Sequence, residues 1–356
     1  MLKNRTLFVV GAGASNEFGL PLGTKLAEQI AAKLHFKFDF GNLIEGEHKF
    51  FSALRQNFKD TQILNNHLNA CARIKSGIRL ARSIDNYIDT HKEDAEVALL
   101  GKLAIIDCIA KAEKSSSLYF EPHNTNITFD TNRLAKTWID ELVGLMFNGI
   151  SKSSIASVFD NLSIISFNYD RCIQQAFVLA IHTLYHIDII TCHELVNKLK
   201  IIYPYGSLGN LSLTQSAKAI PFGVEIYQPY LFELSKNIRT YSEQIADKEL
   251  LDEISSEITK AKNIVFLGCA YHSQNIGILK SQNAEFDKHV FGTAIGISDS
   301  GVLQKKSDLL MGFYGLQIDA GQDRPGAALK ALQNMKIHND FGCHALMNEY
   351  RYSLQK

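Results

Sequence analysis

Residues 6–15 have the sequence Thr-Leu-Phe-Val-Val-Gly-Ala-Gly-Ala-Ser, a short apolar run followed at once by two glycines with one residue between them. The apolar, β-branched run over residues 6–10 predicts a buried strand. Pro21 marks the start of a predicted helix, because apolar side chains follow it every four residues: Leu22, Leu26, Ile30 and Leu34. Strand, glycine turn and helix in this order predict the first β-α unit of a nucleotide-binding α/β fold.

The glycine turn admits two interpretations. Gly11 and Gly13 let backbone amides approach a pyrophosphate at the N-terminus of the next helix, but the same pattern also occurs in ordinary structural turns. The dehydrogenase pattern needs a third glycine, and Asn16 stands at that position. Asp39 comes 28 residues after Gly11, later than the usual acidic residue at about 20. These departures disfavour a dehydrogenase.

Residues 42–155 are predicted to form a helical insertion that divides a Rossmann-like domain of residues 1–41 and 156–356. Apolar side chains recur in the insertion at helical spacing, as at Leu80, Ile84, Tyr87 and Ile88, and at Leu134, Trp138, Leu142 and Leu145. A polar stretch with Pro122, residues 114–126, predicts a loop that divides the insertion. Elsewhere we expect helices over 172–184 and 247–261, and strands over 162–166, 187–191, 200–203, 263–268 and 289–297. The predicted fold class is α/β, a Rossmann-like parallel sheet with a large helical insertion.

The composition excludes several classes of protein. The chain has 356 residues, 46% of them hydrophobic, and equal numbers of basic and acidic side chains, 37 of each, so neither a general polyanion binder nor a sequence-specific nucleic-acid binder is expected. The apolar stretches are too short for a membrane span or a signal peptide, and we expect a cytoplasmic protein. Six scattered cysteines without Cys-x-x-Cys spacing predict reduced thiols and no zinc site.

Three further polar segments follow predicted strands. Ligands of open α/β sheets lie outside the carboxyl ends of the strands, so these segments and the glycine turn are predicted to converge on one crevice. The segments are Ser-Phe-Asn-Tyr-Asp at 166–170, Tyr-Pro-Tyr-Gly-Ser at 203–207 and Gly-Cys-Ala-Tyr-His-Ser-Gln-Asn at 268–275.

In this order the motifs resemble those of the sirtuin superfamily. The resemblance rests on Gly-Ala-Gly-Ala-Ser at 11–15 with Phe-Gly-Leu-Pro at 18–21, on Phe-Asn-Tyr-Asp at 167–170, on Tyr-Gly-Ser at 205–207 and on Phe-Leu-Gly at 266–268. More narrowly, Ser-Ile-Asp at 83–85 and Gly-Leu-Pro-Leu-Gly at 19–23 are similar to the bacterial sirtuin-like proteins of antiphage defence. The similarity spans about residues 6–300.

The resemblance implies an NAD-binding domain in which Asn168 and Asp170 line the nicotinamide and ribose end of the substrate. An Asn amide can orient a water or a ribose hydroxyl, and a carboxylate can stabilise the cationic sugar that forms when nicotinamide leaves. The diphosphate contacts are assigned to Gly11, Ala12, Gly13 and Ser15, and further contacts with NAD to Asn16, Pro21, Asp85, Phe167, Gly206, Ser207, Gly268, His272 and Asn275.

Two departures from the sirtuin pattern bear on the activity. The four-cysteine zinc module of sirtuin deacylases has no counterpart here, so water becomes the expected acceptor, as in the defence relatives, which resemble NAD glycohydrolases. The histidine that precedes Gly-Ser in the family is Tyr205, and a phenol with a pKa of about 10 is a poor base at neutral pH. Tyr205 can still donate and accept hydrogen bonds. His186 is the first candidate to replace the base, and Tyr203 and His272 are weaker ones.

The candidate residues also have purely structural interpretations. Asn168 and Asp170 are good helix caps, and Asp85 fits the solvated face of an ordinary helix. His182 and His186 lack a third ligand, so no metal site is predicted. For the whole protein, an NAD glycohydrolase of antiphage defence is favoured over a non-catalytic subunit that binds NAD or ADP-ribose. A homo-oligomer is expected, since relatives accompany HerA-type hexameric ATPases or short Argonaute proteins, and assembly is the expected switch.

Overall fold

Parallel strands that end at a common edge organise the fold. A computed structural model of the chain describes residues 2–81, 83–121, 129–281, 287–315 and 325–355. Ten strands occur in these residues: β1 (Thr6–Val10), β2 (Lys37–Asp39), β3 (Asn42–Glu45), β4 (Leu162–Ser166), β5 (Lys200–Ile202), β6 (Asn210–Leu211), β7 (Ala219–Ile220), β8 (Asn263–Leu267), β9 (His289–Thr293) and β10 (Met335–His338). Six of them form one parallel sheet in the spatial order β10-β9-β8-β1-β4-β5. Numbered along the chain, this order is 6-5-4-1-2-3, that of a doubly wound Rossmann-like sheet.

Helices cover both faces of this sheet and form a separate group beside it. The described residues contain sixteen α-helices: α1 (Ala12–Asn16), α2 (Gly23–Lys33), α3 (His48–Asn57), α4 (Thr61–Gly77), α5 (Ile84–Thr90), α6 (Ala95–Ser115), α7 (Trp138–Phe147), α8 (Cys172–Tyr185), α9 (Ile189–Val196), α10 (Gln228–Ser235), α11 (Tyr241–Ala246), α12 (Lys248–Lys260), α13 (Ser273–Ile278), α14 (Asp299–Tyr314), α15 (Pro325–Gln333) and α16 (Cys343–Leu354). None of these helices is both long and apolar enough to span a bilayer.

The central strand β1 is buried on both faces. Phe8 and Val10 belong to a core cluster with side chains of α7, α8 and α16, whereas Leu7 and Val9 belong to a second cluster with side chains of α12 and α14. Because successive side chains of a strand alternate between faces, both faces of β1 must be apolar. This double burial explains why residues 6–10 form an almost uninterrupted apolar run.

A third core cluster lies among α2 to α6, together with α10 and the residues around Tyr205. We call this unit the helical subdomain. The core of this subdomain extends beyond the boundaries predicted at residues 42 and 155. Helix α2 precedes residue 42, but it packs on α6 within this core. In contrast, α7 packs on the sheet: the Trp138 ring lies 6.3 Å from that of Phe8, and its indole N–H donates to the carbonyl of Ala14 over 3.1 Å.

The predicted strand over residues 187–191 is wrong. Helix α9 begins at Ile189 because Asp188 caps it: the Thr191 amide donates to Asp188 Oδ1 over 2.9 Å. Strand β9 ends at Thr293 rather than at residue 297, and β10 was not predicted. The strands at 6–10, 162–166, 200–203 and 263–268 and the helices at 172–184 and 247–261 are confirmed to within one residue at either end. Part of the predicted 114–126 loop, including Pro122, lies outside the described residues.

A fully buried ion pair joins the helical subdomain to the sheet. Glu113 of α6 and Arg171, which precedes α8, are both 0% exposed, and Arg171 Nη2 lies 2.5 Å from Glu113 Oε2. The same carboxylate accepts hydrogen bonds from Arg171 Nε, from the Arg171 amide and from the Gly223 amide, at 3.0 to 3.1 Å. The guanidinium also donates to the carbonyls of Ile220 and Pro221. Both charges are therefore satisfied, and the start of α8 is fixed against α6.

Replacing Glu113 with Gln tests this pair. The change leaves the Arg171 charge buried without a counter-ion, which should lower the free energy of unfolding by about 3 to 5 kcal/mol. Glu233→Gln is the control, because Glu233 pairs with Lys236 on an exposed surface and such pairs contribute about 0 to 1 kcal/mol. Chemical denaturation of the two variants measures the difference. Equal losses would show that the buried pair has no special role.

Candidate functional site

The register of the sheet brings three loops together at one edge. Val10 pairs with Ser166 on one side and with Leu267 on the other, so β1, β4 and β8 end at the same level. The loops that follow these strands start side by side, at the point where the strand order reverses. We call them the glycine turn (residues 11–15), the β4 loop (residues 167–171) and the β8 loop (residues 268–272).

Gly11, Gly13 and Gly268 permit close packing between the glycine turn and the β8 loop. A Cβ atom on Gly11 would lie 2.6 Å from the Gly268 carbonyl oxygen, and one on Gly268 would lie 2.1 Å from the Ala14 nitrogen. The amides of Gly11 and Gly13 donate to the carbonyls of Leu267 and Gly268 over 2.9 and 3.0 Å. These two amides are therefore engaged within the protein, and the role that the structure gives these glycines is steric.

Asn168 ties the β4 loop to the glycine turn. Its side-chain nitrogen donates to the Gly11 carbonyl over 3.0 Å and to Ser15 Oγ over 2.8 Å. The residue is 7% exposed, so this amide is held rigidly in a nearly dry environment. Both amide hydrogens are used, which leaves the side-chain oxygen as its acceptor. Asn168 thus does not cap α8, the structural alternative that the sequence left open.

Asp170 caps helix α8 and lies beside Asn168 in the β4 loop. The Cys172 amide at the start of α8 donates to Asp170 Oδ1 over 3.0 Å. Burial raises the pKa of this carboxyl, while the hydrogen bonds from Cys172 and from Ser15 act in the opposite direction. Ser15 therefore contacts both Asn168 and Asp170. The glycine turn and the β4 loop form one compact polar cluster at the edge of the sheet.

Tyr205 lies on the other side of the β4 loop, between the helical subdomain and the β8 side of the sheet. Its hydroxyl donates to Asn275 Oδ1 of α13 over 2.8 Å, and its ring lies 6.1 Å from that of Phe167. Burial, and then the negative charge of Asp85, raise the pKa of Tyr205 well above its usual value. Tyr205 is therefore a hydrogen-bond donor here and not a base at neutral pH.

The turn after Tyr205 needs glycine. Gly206 has a φ of +77°, and a Cβ atom there would lie 1.7 Å from the Asn237 carbonyl oxygen. Ser207 follows it and is half-buried. His272, also half-buried, forms the N-cap position of α13, three residues before Asn275. The structure thus brings Tyr205, His272 and Asn275 to the same edge of the sheet.

His186 is not a site residue, contrary to the prediction. It follows α8 in a left-handed conformation (φ +50°) and is exposed, whereas Asp170 lies at the opposite end of this helix. The 14 residues of α8 separate the two ends by roughly 20 Å. Tyr203 is also a poor candidate, because burial raises its pKa and its hydroxyl donates to Gln174 Oε1 over 2.8 Å.

The remaining residues that were predicted to contact NAD near β1 lie around the glycine turn. Asn16 is exposed, and its side chain donates to the Leu20 carbonyl over 2.8 Å, which closes the loop before α2. Pro21 is half-buried and precedes α2, which begins at Gly23. Ala12 is half-buried at the start of α1. These three residues therefore lie beside the glycine turn and are not part of the buried polar cluster of Ser15, Asn168 and Asp170.

Asp85 comes to the site from α5 of the helical subdomain. The Tyr169 hydroxyl donates to Asp85 Oδ1, and Tyr169 stands between Asn168 and Asp170 in the β4 loop. Burial raises the pKa of Asp85 from its ordinary value of 3.8 to about 7. The Ser83 hydroxyl caps the same helix by accepting from the Asn86 amide over 3.1 Å. The Ser-Ile-Asp motif therefore begins a helix and also directs a carboxyl toward the β4 loop.

Two residues that shape the site were not predicted from the sequence. Glu17 accepts from the Trp138 amide over 2.7 Å and from the His344 amide over 2.9 Å, so one carboxylate caps both α7 and α16. Burial raises the pKa of Glu17, which the two helix amides partly offset. Glu113 fixes the β4 loop through Arg171. An acidic residue inside an apolar helical stretch was the available signal for Glu113, whereas nothing in the spacing indicated the partners of Glu17.

A cleft lies apart from this edge of the sheet. It has a volume of about 510 Å³ and lies in the helical subdomain between α4 and the α5–α6 connection, lined by Asn66, Asn69, Arg73, Thr90, His91, Glu93, Asp94 and Glu96. All six cysteines are free thiols. Within the described ranges, no group of three or more His, Cys, Asp or Glu side chains is arranged to hold a metal ion.

No protein-family model matches this chain, and no curated protein is similar to it in sequence.

Replacing Gly268 with Ala tests the packing of the β8 loop. The added Cβ meets the backbone of the glycine turn, so we expect a loss of stability clearly larger than that of Gly296→Ala. Gly296 also has a positive φ (+81°) but nothing within 4 Å of a Cβ, and it therefore measures the backbone strain alone, about 1 to 2 kcal/mol. Thermal unfolding of both variants gives the comparison. Equal losses would contradict the close approach.

The raised pKa of Asp85 predicts how stability depends on pH. The folded protein favours neutral Asp85, so the stability that this group contributes is present at low pH and lost as the pH rises through about 7. The melting temperature of the wild type, relative to that of Asp85→Asn, should fall between about pH 4 and pH 7 and level off at higher pH. Asp89→Asn, one turn further along α5, is the matched control. A constant difference for Asp85→Asn would contradict the raised pKa.

Proposed function

We propose that this chain is an NAD glycohydrolase, which converts NAD and water into nicotinamide and ADP-ribose. The observation that carries the proposal is the Asn168 amide, hydrogen-bonded to Ser15 and Gly11 and adjacent to the buried carboxyl of Asp170. This cluster lies at the carboxyl end of β1, where the strand order reverses. Open α/β sheets bind dinucleotides at such positions.

In this proposal each loop binds a different part of NAD. The glycine turn faces the diphosphate, while the buried Ser15 hydroxyl holds Asn168 and Asp170. The β4 loop faces the nicotinamide ribose through Asn168 and Asp170, while His272 and Asn275 face the adenosine ribose. The support for this division is the common edge at which β1, β4 and β8 end.

The reaction does not depend on a strong general base. The bond between ribose C1′ and the nicotinamide nitrogen breaks, and neutral nicotinamide leaves with the bonding electron pair. Water forms the new C1′–O bond and releases one proton. The sugar is cationic while neither bond is complete, and the carboxylate of Asp170 would stabilise that charge in its buried setting. The Asn168 side-chain oxygen is an acceptor that can orient the attacking water.

A second candidate function is non-catalytic binding of NAD or ADP-ribose. The observation in its favour is Tyr205, which replaces the family's histidine, has a raised pKa and donates its proton to Asn275. A site without a base at this position suits a sensor that binds NAD without cleaving it. The hydrolase remains the first proposal, since Asn168 and Asp170 supply the groups that a cationic sugar and its water need.

The biological setting of the proposal comes from the sirtuin-like resemblance. We place the activity in the cytoplasm, as depletion of NAD in antiphage defence, without zinc and without deacylation of lysine. A homo-oligomer, and a HerA-type hexameric ATPase or another defence protein as its partner, complete the proposal. Such assembly would restrain an activity that is lethal to the cell.

The test is NAD consumption by the purified protein, with nicotinamide and ADP-ribose separated and quantified. Asn168→Ala should lower the rate by on the order of a hundredfold or more, because it removes the acceptor for water and releases the β4 loop from the glycine turn. Asn132→Ala is the control, since Asn132 is exposed and bonds to Asp130 of its own turn. Both variants are compared with and without the protein encoded beside this one.

The outcomes separate the two candidate functions. Turnover that Asn168→Ala abolishes and Asn132→Ala preserves supports the hydrolase. NAD bound without any turnover, with or without the neighbouring protein, would replace it by the sensor. Neither binding nor turnover would rule out both.

A further inference from the structure

A side-chain hydrogen bond connects the helical subdomain to the centre of the β4 loop. Tyr169 lies between Asn168 and Asp170, but its ring is buried in the core of the helical subdomain, whereas its two neighbours contact the glycine turn and α8. Its hydroxyl donates to Asp85 Oδ1. The loop is thus held from two sides, by Ser15 through Asn168 and by Asp85 through Tyr169.

We infer that Asp85 is a positioning residue for the candidate site, which acts by holding Tyr169 and thereby fixing Asn168 and Asp170 in the β4 loop. The inference rests on the proposed function for its catalytic readout. Asp85 does not itself contact the Asn168 cluster in the described structure, so its effect on NAD chemistry passes through the loop. The helical subdomain thereby controls the geometry of a site that lies on the sheet.

The groups around Asp85 make its hydrogen bond with Tyr169 sensitive to the charge of the Asp85 carboxyl. The polar groups that act on it are the Ser83 hydroxyl of its own helix start, the Tyr169 phenol of the β4 loop and, electrostatically, the Tyr205 phenol. Nearby charges have other partners: Asp89 accepts from Ser242 of α11, and Lys102 of α6 pairs with Glu243 of α11 over 2.9 Å. Among the described residues, no basic side chain forms an ion pair with Asp85.

Neutral and ionised Asp85 hold the loop with different strength. An ionised carboxylate accepts a shorter and stronger hydrogen bond from a phenol than a neutral carboxyl does. Burial places the pKa of Asp85 at about 7, so the stronger bond predominates above neutrality and the weaker one below it. Asn has the shape of Asp but no charge, so Asp85→Asn fixes the neutral state at every pH.

The experiment compares the rate of NAD hydrolysis as a function of pH for the wild type, Asp85→Asn, Tyr169→Phe and the double variant. The wild-type rate should rise as the pH increases through about 7. Asp85→Asn should lose this rise and stay at the low-pH level, on the order of tenfold to a hundredfold below the wild type at pH 8. Tyr169→Phe should do the same, with no further loss in the double variant. Asp89→Asn, with the same charge change in the same helix, should keep the wild-type profile.

A second measurement keeps the inference separate from the proposed function. The melting temperature and the Kd for NAD are measured for the same four proteins, the wild type, the two single variants and the double variant. Non-additive effects of Asp85→Asn and Tyr169→Phe, with no NAD turnover by any protein, would overturn the glycohydrolase but keep the link between Asp85 and the loop. Additive effects in stability, or an Asp89→Asn profile identical to that of Asp85→Asn, would overturn the positioning role even in an active enzyme.

Discussion

The buried ion pair of Glu113 and Arg171 is the constraint on which the rest of the site depends. Two charges without contact with solvent need complete hydrogen bonding, and the carboxylate receives it from two distant parts of the chain, Arg171 and Gly223. The end of α6, the start of α8 and the segment around Gly223 must therefore meet at one point. Since Arg171 is the last residue of the β4 loop and directly follows Asp170, this meeting point also fixes where the loop ends and α8 begins.

From that fixed point the site is built by close backbone contact as much as by side chains. Gly268 approaches the glycine turn so closely that any side chain would collide with it, and this contact aligns the ends of β1 and β8. Asn168 then bridges the turn on its other side. The same groups that are candidates for chemistry thus also hold the loops together, so replacing them affects both the stability and the reaction.

The sequence predicted the features that depend on local pattern. The buried strands β1, β4 and β8 follow from short apolar runs that end in glycine or polar residues, and their common edge follows from parallel pairing. Contacts between distant segments could not be predicted in this way. His186 stands 18 residues after Asn168 in the chain, but a straight helix carries it away from the site. The sequence also did not indicate that Tyr169 and Asp85 meet, because their contact depends on how the helical subdomain packs against the sheet.

The hydrogen bonds of Glu17, which lies two residues after the glycine turn, can be completed only late in the synthesis of the chain. Its carboxylate accepts amides from two helices, and His344 of the second lies 327 residues further along the chain. At about 5 to 20 residues per second, a ribosome needs roughly 16 to 65 s to reach that residue. During this interval the carboxylate lacks at least one of its two helix partners. The nascent chain therefore completes the surroundings of its first β-α unit only after nearly all of the protein has been made.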